Sequence, residues 1–167
     1  MRRFILPAAL LAALPVWAHG YTVGDLSIDH PHVLATPSNA PVAGGYMEIT
    51  NEGDADDTLV SVSVAPEVAG MMQLHAMAME DGVMRMSEVD GGIPIPAGET
   101  VTLERGGLHV MFMQLPQGME EGVEIPATLT FADAGEVEVV FTVESRETIE
   151  ARTGEAADAA ADDHSDH

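Results

Sequence analysis

The chain contains no cysteine among its 167 residues. A disulfide framework therefore cannot form, and a lipid anchor attached to a cysteine is excluded as well. The same absence excludes two kinds of copper centre, because a blue-copper site needs one cysteine thiolate and a dinuclear centre of the CuA type needs two. Any metal chemistry of this chain must use nitrogen, oxygen or thioether ligands.

Basic residues are scarce. The chain has no lysine, its six basic residues are all arginines, and 28 acidic residues bring the formal net charge to −22. Binding to phosphates needs a basic surface, so we expect no nucleic-acid partner, and an anionic membrane would repel the protein. The acidic exterior would attract cations or basic partner surfaces, and it is equally consistent with a salty habitat.

Long apolar runs are missing beyond the N-terminus. Arg2 and Arg3 precede an apolar stretch from Phe4 to Leu14, and Val16-Trp17-Ala18 fits the small-residue rule for signal cleavage. We therefore predict a secretory signal peptide over residues 1–18, rather than a buried N-terminal helix. The mature protein is expected to be exported, periplasmic and without a membrane span.

Both predicted ends of the mature chain carry histidines. Cleavage after Ala18 would leave His19 first, where its imidazole and the free α-amine could chelate Cu(II), although we favour an ordinary polar residue there. Residues 146–167 are acidic and without aromatics, and we predict a disordered tail because they cannot bury enough apolar surface. His164 and His167 in that tail could collect a second Cu(II) ion, or belong to a merely solvated segment.

Residues 19–145 are predicted to form a single all-β domain. Short runs of alternating apolar and polar residues recur about every ten residues, separated by turns rich in glycine, proline and aspartate. This spacing is typical of a β-sandwich or barrel. His30-Pro31 and Thr36-Pro37 are predicted to interrupt the first strand, and we find no convincing amphipathic helix.

Histidine and methionine are concentrated in two short segments, with the candidate ligands His75, Met77, Met86, His109 and Met111. Asp81-Gly82 is a strong signal for a two-residue hairpin turn, which would set Met77 opposite Met86. Side chains alternate along a strand, so His75 would be a diagonal neighbour of Met86 on the same face. In the second segment, His109 and Met111 also share a face.

Imidazole combined with thioether suits Cu(I), whereas hard cations prefer oxygen. His75, Met86, His109 and Met111 could close a four-ligand shell, although the residues alone do not show that the two segments meet. Core packing is the alternative, since methionine fits irregular gaps, and we accept it for Met47, Met71, Met72 and Met119. Met77, Met79, Met84 and Met113 are candidate secondary ligands. His30 and His32, which flank Pro31, are interpreted as structural.

The spacing of these residues follows a family pattern. Ten residues separate His75 from Met86, and twenty-two separate Met86 from His109, which begins the motif His109-Val110-Met111. Over residues 20–143 the chain resembles the PCuAC-type periplasmic copper(I) chaperones. The second interval is one residue longer than usual, and we expect the insertion in the Asp90-Gly91-Gly92 loop. The usual Trp-Ala-Arg after His30-Pro31 is replaced by His32-Val33-Leu34.

The resemblance implies a cupredoxin-like Greek-key β-sandwich or barrel that binds one Cu(I) through His75, Met86, His109 and Met111. It also implies delivery of copper to cytochrome c oxidase, with the CuA-containing subunit or its assembly factors as partner. Tails of some family members bind Cu(II), a role that would fall here to His164 and His167. We expect a monomer.

Three other functions remain open. A copper sequestration protein for resistance would bind several ions on the methionine cluster and the tail. A mature N-terminal His19 with a second imidazole could form an oxygen-activating copper enzyme. A structural or adhesion sandwich would bind no copper tightly. No nucleophilic triad, phosphate loop or pair of acid–base carboxylates stands out, so we expect no enzymatic activity.

Overall fold

The computed structural model describes residues 20–153, in which eleven strands are followed by one short helix. The strands are β1 (Gly20–Val23), β2 (Leu26–Leu34), β3 (Val42–Asn51), β4 (Asp57–Val64), β5 (Met71–Glu80), β6 (Val83–Glu88), β7 (Ile93–Ile95), β8 (Thr100–Leu103), β9 (Leu108–Met113), β10 (Glu124–Phe131) and β11 (Gly135–Glu144). The helix, α1, covers residues 146–153. The prediction of an all-β domain is confirmed.

All eleven strands belong to one sheet of mixed pairing. Its order is β6-β5-β9-β8-β3-β2-β11-β10-β4-β7, with β1 added to β2 and with β9 also paired to β3. The pairs β2–β11 and β8–β9 are parallel, and the others that the structure describes are antiparallel. Strand β4 also contacts β5, although the two stand far apart in this order, so the sheet curls around its own core.

The core lies on the concave face of the curled sheet and follows from the alternation of the sequence. In β10 every second side chain is buried, namely Ile125, Ala127, Leu129 and Phe131. Phe112 of β9 and Phe141 of β11 meet edge to face at its centre, with ring centroids 5.6 Å apart. Complete burial of each phenyl group contributes roughly 1.5–3 kcal/mol to stability.

Strand β2 differs from the prediction, because it runs through His30-Pro31 to Leu34 instead of ending there. A register shift against β3 lies between Asp29 and His32, and His30 adopts a left-handed φ of 53° within it. Such a bulge adds one residue to the strand, so a proline that donates no hydrogen bond is tolerated. The strand before β2 ends instead at a turn, at Gly24-Asp25, whereas the second predicted break, at Thr36-Pro37, is confirmed because β2 ends at Leu34.

The hairpin of β5 and β6 is formed as predicted. Asp81 and Gly82 both have positive φ, 51° and 79°, which is the conformation of a tight hairpin turn of type I′. The register sets Met77 opposite Met86 and Met79 opposite Met84. A two-residue turn leaves no freedom to shift this register, so the local sequence is sufficient to define it.

The predicted disorder of residues 146–167 is wrong for residues 146–153, which form α1. The Ser145 hydroxyl accepts a hydrogen bond from the Thr148 amide at 3.3 Å, which caps the helix. The Arg152 guanidinium donates to both oxygens of Glu144, at 2.8 and 2.6 Å, and fastens the last turn to the sheet. A hydroxyl cap and a charged anchor thus hold this segment, which has little apolar surface with which to dock.

Residues 1–19 and 154–167 lie outside the described part of the chain. The predicted signal peptide, His19, His164 and His167 therefore fall on residues whose structure is not described here. Within residues 20–153, the protein has no helix that is both long enough and apolar enough to cross a bilayer.

Candidate metal centre

Strand β5 brings the two histidine–methionine segments together, because it pairs with β6 on one side and β9 on the other. His75 lies directly opposite His109 in the β5–β9 register. Met86 lies opposite Met77, and so diagonally from His75, in the β5–β6 register. Three of the four candidate ligands are therefore neighbours across three adjacent strands.

Met111 completes the cluster from β9. It lines an open depression of about 290 Å³ together with Met77, Met86 and His109. Gly44 of β3 lies opposite Met111, and a Cβ atom at this glycine would collide with the Tyr46 hydroxyl group. The glycine is thus needed for the tyrosine side chain to fold over the edge of the depression.

The four candidate ligands differ in their exposure. His75, His109 and Met111 are 9%, 6% and 8% exposed, whereas Met86 is 51% exposed on the hairpin. Three candidate ligands are therefore held within the folded domain by packing on both sides. The fourth candidate ligand, the Met86 thioether, can be reached from solvent.

The hydrogen bonding of His109 selects one tautomer of its neutral imidazole. Its Nδ1 atom lies 3.0 Å from the Gly107 carbonyl oxygen, which can only accept, so Nδ1–H is the donor. The neutral ring then carries a lone pair on Nε2, which lies 3.2 Å from the Met86 sulfur. A nitrogen lone pair and a thioether sulfur face each other, and a soft cation could bind to both.

The orientation of His75 is set by two further side chains. The Gln73 amide donates to Glu88 at 3.0 Å, so its oxygen is the atom that faces His75 Nε2 at 2.9 Å. His75 Nε2 must then carry the proton, and Nδ1 carries the lone pair. This buried Nδ1 atom has no hydrogen-bond partner among residues 20–153. An unpaired buried nitrogen is costly unless a ligand binds to it.

The pKa of His75 is lowered from its ordinary value of 6.5. Burial is the main cause, and the nearby His109 adds to it, while the carboxylate of Glu88 opposes the shift. The His75 imidazole is therefore neutral at neutral pH. Neutral imidazole is the form that binds metals.

The remaining methionines divide by position. Met47 and Met119 are buried in the core, as predicted, and Met72 is partly buried against it. Met71 is 41% exposed at the start of β5, so its assignment to the core is wrong. Met79 and Met84 are exposed at the tip of the hairpin, and Met113 lies opposite Met71 at the far end of β9.

Sequence reasoning missed the residues that orient the two imidazoles. Gln73 lies two residues before His75, and Glu88 lies directly opposite His75 in the predicted hairpin register. Both could have been identified from strand alternation alone. The Gly107 carbonyl lies two residues before His109, but a backbone group gives no side-chain signal. Tyr46 had no local signal either, because its position depends on the pairing of β3 with β9.

The LpqE-like family model, which describes a family of lipoproteins, matches residues 26–143 of this chain. The chain belongs to the LpqE-like family. A relative of similar sequence is Lxx21020 of Leifsonia xyli subsp. xyli, a protein named as a lipoprotein. The two are 32% identical over 124 residues, which is 74% of this chain and 72% of that protein.

Solved structures similar to this LpqE-like protein are PCuAC domains. The apo PCuAC domain of PmoF1 has a TM-score of 0.64 at 29% identity, over 76% of this chain and 99% of that domain. The copper-bound PCuAC domain of PmoF2 has a TM-score of 0.62 at 28% identity, over 76% of this chain and 98% of that domain. The Cu(I) form of DR1885 from Deinococcus radiodurans has a TM-score of 0.56 at 28% identity, over 77% of this chain and 83% of that protein. The predicted PCuAC resemblance and cupredoxin-like fold are confirmed.

Proposed function

We propose that this LpqE-like protein is an exported Cu(I) chaperone whose ligands are His75, Met86, His109 and Met111. The observation that carries the proposal is the pair of free imidazole nitrogens. His75 Nδ1 is buried and unpaired within the described chain, and His109 Nε2 directs its lone pair at the Met86 sulfur. Each ring is held by its other nitrogen, as is usual for metal-binding histidines.

The donor set supports copper in its reduced state. Two neutral imidazoles and two thioethers carry no charge, and soft thioethers favour Cu(I) over hard divalent cations. None of the four candidate ligands is a carboxylate, the ligand that a hard ion prefers, and the nearby Glu88 carboxylate accepts a hydrogen bond from Gln73. Copper-bound PmoF2 and Cu(I)-DR1885 have the same fold, which supports copper as the metal.

Ligand exchange is the transfer mechanism that the exposure of the ligands favours. Met86 is half exposed, while the other three candidate ligands are buried. A ligand of the recipient would bind copper as the Met86 thioether leaves, and the remaining bonds would follow one at a time. Copper stays Cu(I) throughout, so no electron donor or acceptor is required.

We further propose delivery in the periplasm to assembly of cytochrome c oxidase, at its CuA-containing subunit or an assembly factor, by a monomer that is not an enzyme. The motif resemblance supports this recipient. The acidic composition of the chain, with a formal charge of −22, favours a recipient with a basic docking surface.

Sequestration of several copper ions is the second candidate function. Met79 and Met84 face each other at the tip of the hairpin and are 65% and 46% exposed. They continue the thioether row that Met77 and Met86 begin. Extra Cu(I) ions bound there would indicate storage, whereas a single tight ion indicates a chaperone.

A competition titration with a chromophoric Cu(I) chelator tests the proposal on the mature chain under anaerobic conditions. We expect one tight equivalent, which is lost in the His109→Ala/Met111→Leu double variant. Met79→Leu/Met84→Leu is the matched control and keeps that equivalent. If the double variant bound Cu(I) as tightly as the unmodified chain, the ligand assignment would be wrong.

A further inference from the structure

A second group of potential metal ligands lies where β2 runs beside β11. His30, His32 and Glu144 each offer one ligand atom, and these atoms all lie within 4.8 Å of one another. His30 Nε2 is 3.2 Å from Glu144 Oε1. The parallel pairing of β2 with β11, which aligns His32 with Thr142, sets the carboxylate beside both imidazoles.

The bulge in β2 is what exposes this cluster. Before it, Leu26 and Ile28 are buried, and after it the buried positions shift to Pro31 and Val33. Without the extra residue, His30 would face the core, because a shift by one position exchanges the two faces of a strand. His30 takes the left-handed conformation that this bulge requires, at a cost of about 1–2 kcal/mol.

We propose that His30, His32 and Glu144 form a second metal site, which takes a divalent transition-metal ion, with Cu(II) bound most tightly and Zn(II) less tightly. His32 Nδ1 lies 3.0 Å from the His30 carbonyl oxygen and is therefore its protonated nitrogen. Nε2 of His32 is left with a free lone pair. Two imidazoles and a carboxylate suit these ions, and Cu(II) exceeds the other divalent ions in affinity.

The absence of thioethers from this cluster separates it chemically from the Cu(I) centre. A carboxylate adds the negative charge that a divalent ion prefers, and no methionine belongs to the group. The two sites are nevertheless close. Tyr46 stands between them, 5.5 Å from the His32 ring and 6.5 Å from the His109 ring.

Arg152 of α1 competes for the same carboxylate. Its guanidinium donates to both Glu144 oxygens, at 2.8 and 2.6 Å. A divalent ion must therefore share Glu144 with Arg152 or displace it. Removal of this arginine would strengthen metal binding at the site, whereas a merely structural ion cluster would bind no metal in either case.

Zn(II) titration by calorimetry tests the site, because Zn(II) is not reduced and has little affinity for thioethers. The sample is the mature chain with His164→Gln and His167→Gln, which remove the tail imidazoles. One equivalent of Cu(I) is added first to occupy the proposed Cu(I) centre. We expect one Zn(II) equivalent, weakened at least tenfold by His32→Trp and tightened severalfold by Arg152→Gln. Tryptophan is usual at position 32 in the PCuAC pattern, so this variant should fold.

Electron paramagnetic resonance of added Cu(II) is the second measurement. We expect nitrogen hyperfine structure that loses intensity in His32→Trp. The Cu(I) affinity, measured by chelator competition, should be the same with and without His32→Trp. This measurement tests the second site independently of the chaperone proposal. If His32→Trp left both the Zn(II) affinity and the Cu(II) spectrum unchanged, the cluster would be a structural ion network and the proposal would be wrong.

Discussion

His75 and His109 stand directly opposite each other in the β5–β9 register, with their imidazole centroids 5.8 Å apart. Each ring is anchored through a different nitrogen, Nε2 in His75 and Nδ1 in His109. Their free nitrogens are therefore also different, Nδ1 and Nε2. This complementary choice of tautomers would allow two rings on adjacent strands to bind the one metal ion of the proposed site.

Replacing either thioether should weaken Cu(I) binding without unfolding the domain. We expect Met86→Leu and Met111→Leu each to reduce the affinity at least about tenfold, since even outer partners of metal ligands are worth 10–100-fold. Leucine has a volume close to that of methionine, so the buried Met111→Leu should cost less than about 1.5 kcal/mol. Chelator competition and thermal unfolding measure the two effects, with Met84→Leu as the exposed control. Equal affinity in all three variants would contradict the assignment.

Removing the Gln73 amide should allow the His75 imidazole to adopt either tautomer. In Gln73→Leu, Nε2 of His75 loses its acceptor, so we expect a mixture of tautomers. The Cu(I) affinity should fall about 10–100-fold, the usual effect of losing a residue that hydrogen-bonds to a metal ligand. Nitrogen chemical shifts of labelled imidazoles report the tautomer directly. Gln73→Glu keeps an acceptor and should restore Nε2 protonation. A single unchanged tautomer in Gln73→Leu would show that another group orients the ring.

The stability of the apoprotein should depend on pH through His75. Burial, assisted by His109, lowers the pKa of His75 below 6.5, so the unfolded chain binds this proton at a higher pH than the native protein. Stability is therefore unaffected above about pH 7 and falls as the pH drops below 6.5. Urea unfolding between pH 5 and 8 measures the slope.

The matched variant for this pH dependence is His75→Gln. In this variant the free energy of unfolding should change less steeply with pH. Some slope should remain, because burial also lowers the pKa of His32. Addition of Cu(I) should stabilise the protein by mass action at pH 7, and less at pH 5, where protons compete for the imidazoles. An apoprotein whose stability did not change from pH 8 to 5 would contradict the prediction.

Asp57 should be a major contributor to fold stability. Burial raises the pKa of this carboxyl group, but backbone N–H groups of Asp133, Thr58 and Ala134 outweigh that effect and lower the net pKa below 3.8. The contribution is therefore present above about pH 4 and is lost as the pH falls through the native pKa. We expect Asp57→Ala to cost roughly 2–4 kcal/mol in urea unfolding at pH 7. Asp54→Ala, at an exposed position, should cost almost nothing, and similar losses in both would contradict this role.

Several features of the protein follow from local sequence. Apolar residues at every second position of β10 define its buried face, because side chains of a strand alternate. Asp81-Gly82 defines the hairpin and its register, since both positions must adopt positive φ. The spacing of His75, Met86 and His109 was sufficient to indicate the PCuAC pattern. Each of these signals depends only on residues close in the chain or on their order.

Other features were decided only by the tertiary structure. The pairing of β5 with β9 brings His75 to His109, and the parallel pairing of β2 with β11 brings Glu144 to His30. Neither contact has a local sequence signal, because strands distant in the chain are paired by burial of a common core. The bulge at His30 likewise depends on that core, which selects Pro31 and Val33 for burial. Candidate ligand residues can thus be identified from the sequence, but the free imidazole nitrogens that support the proposed site are positioned only when the distant strands pair.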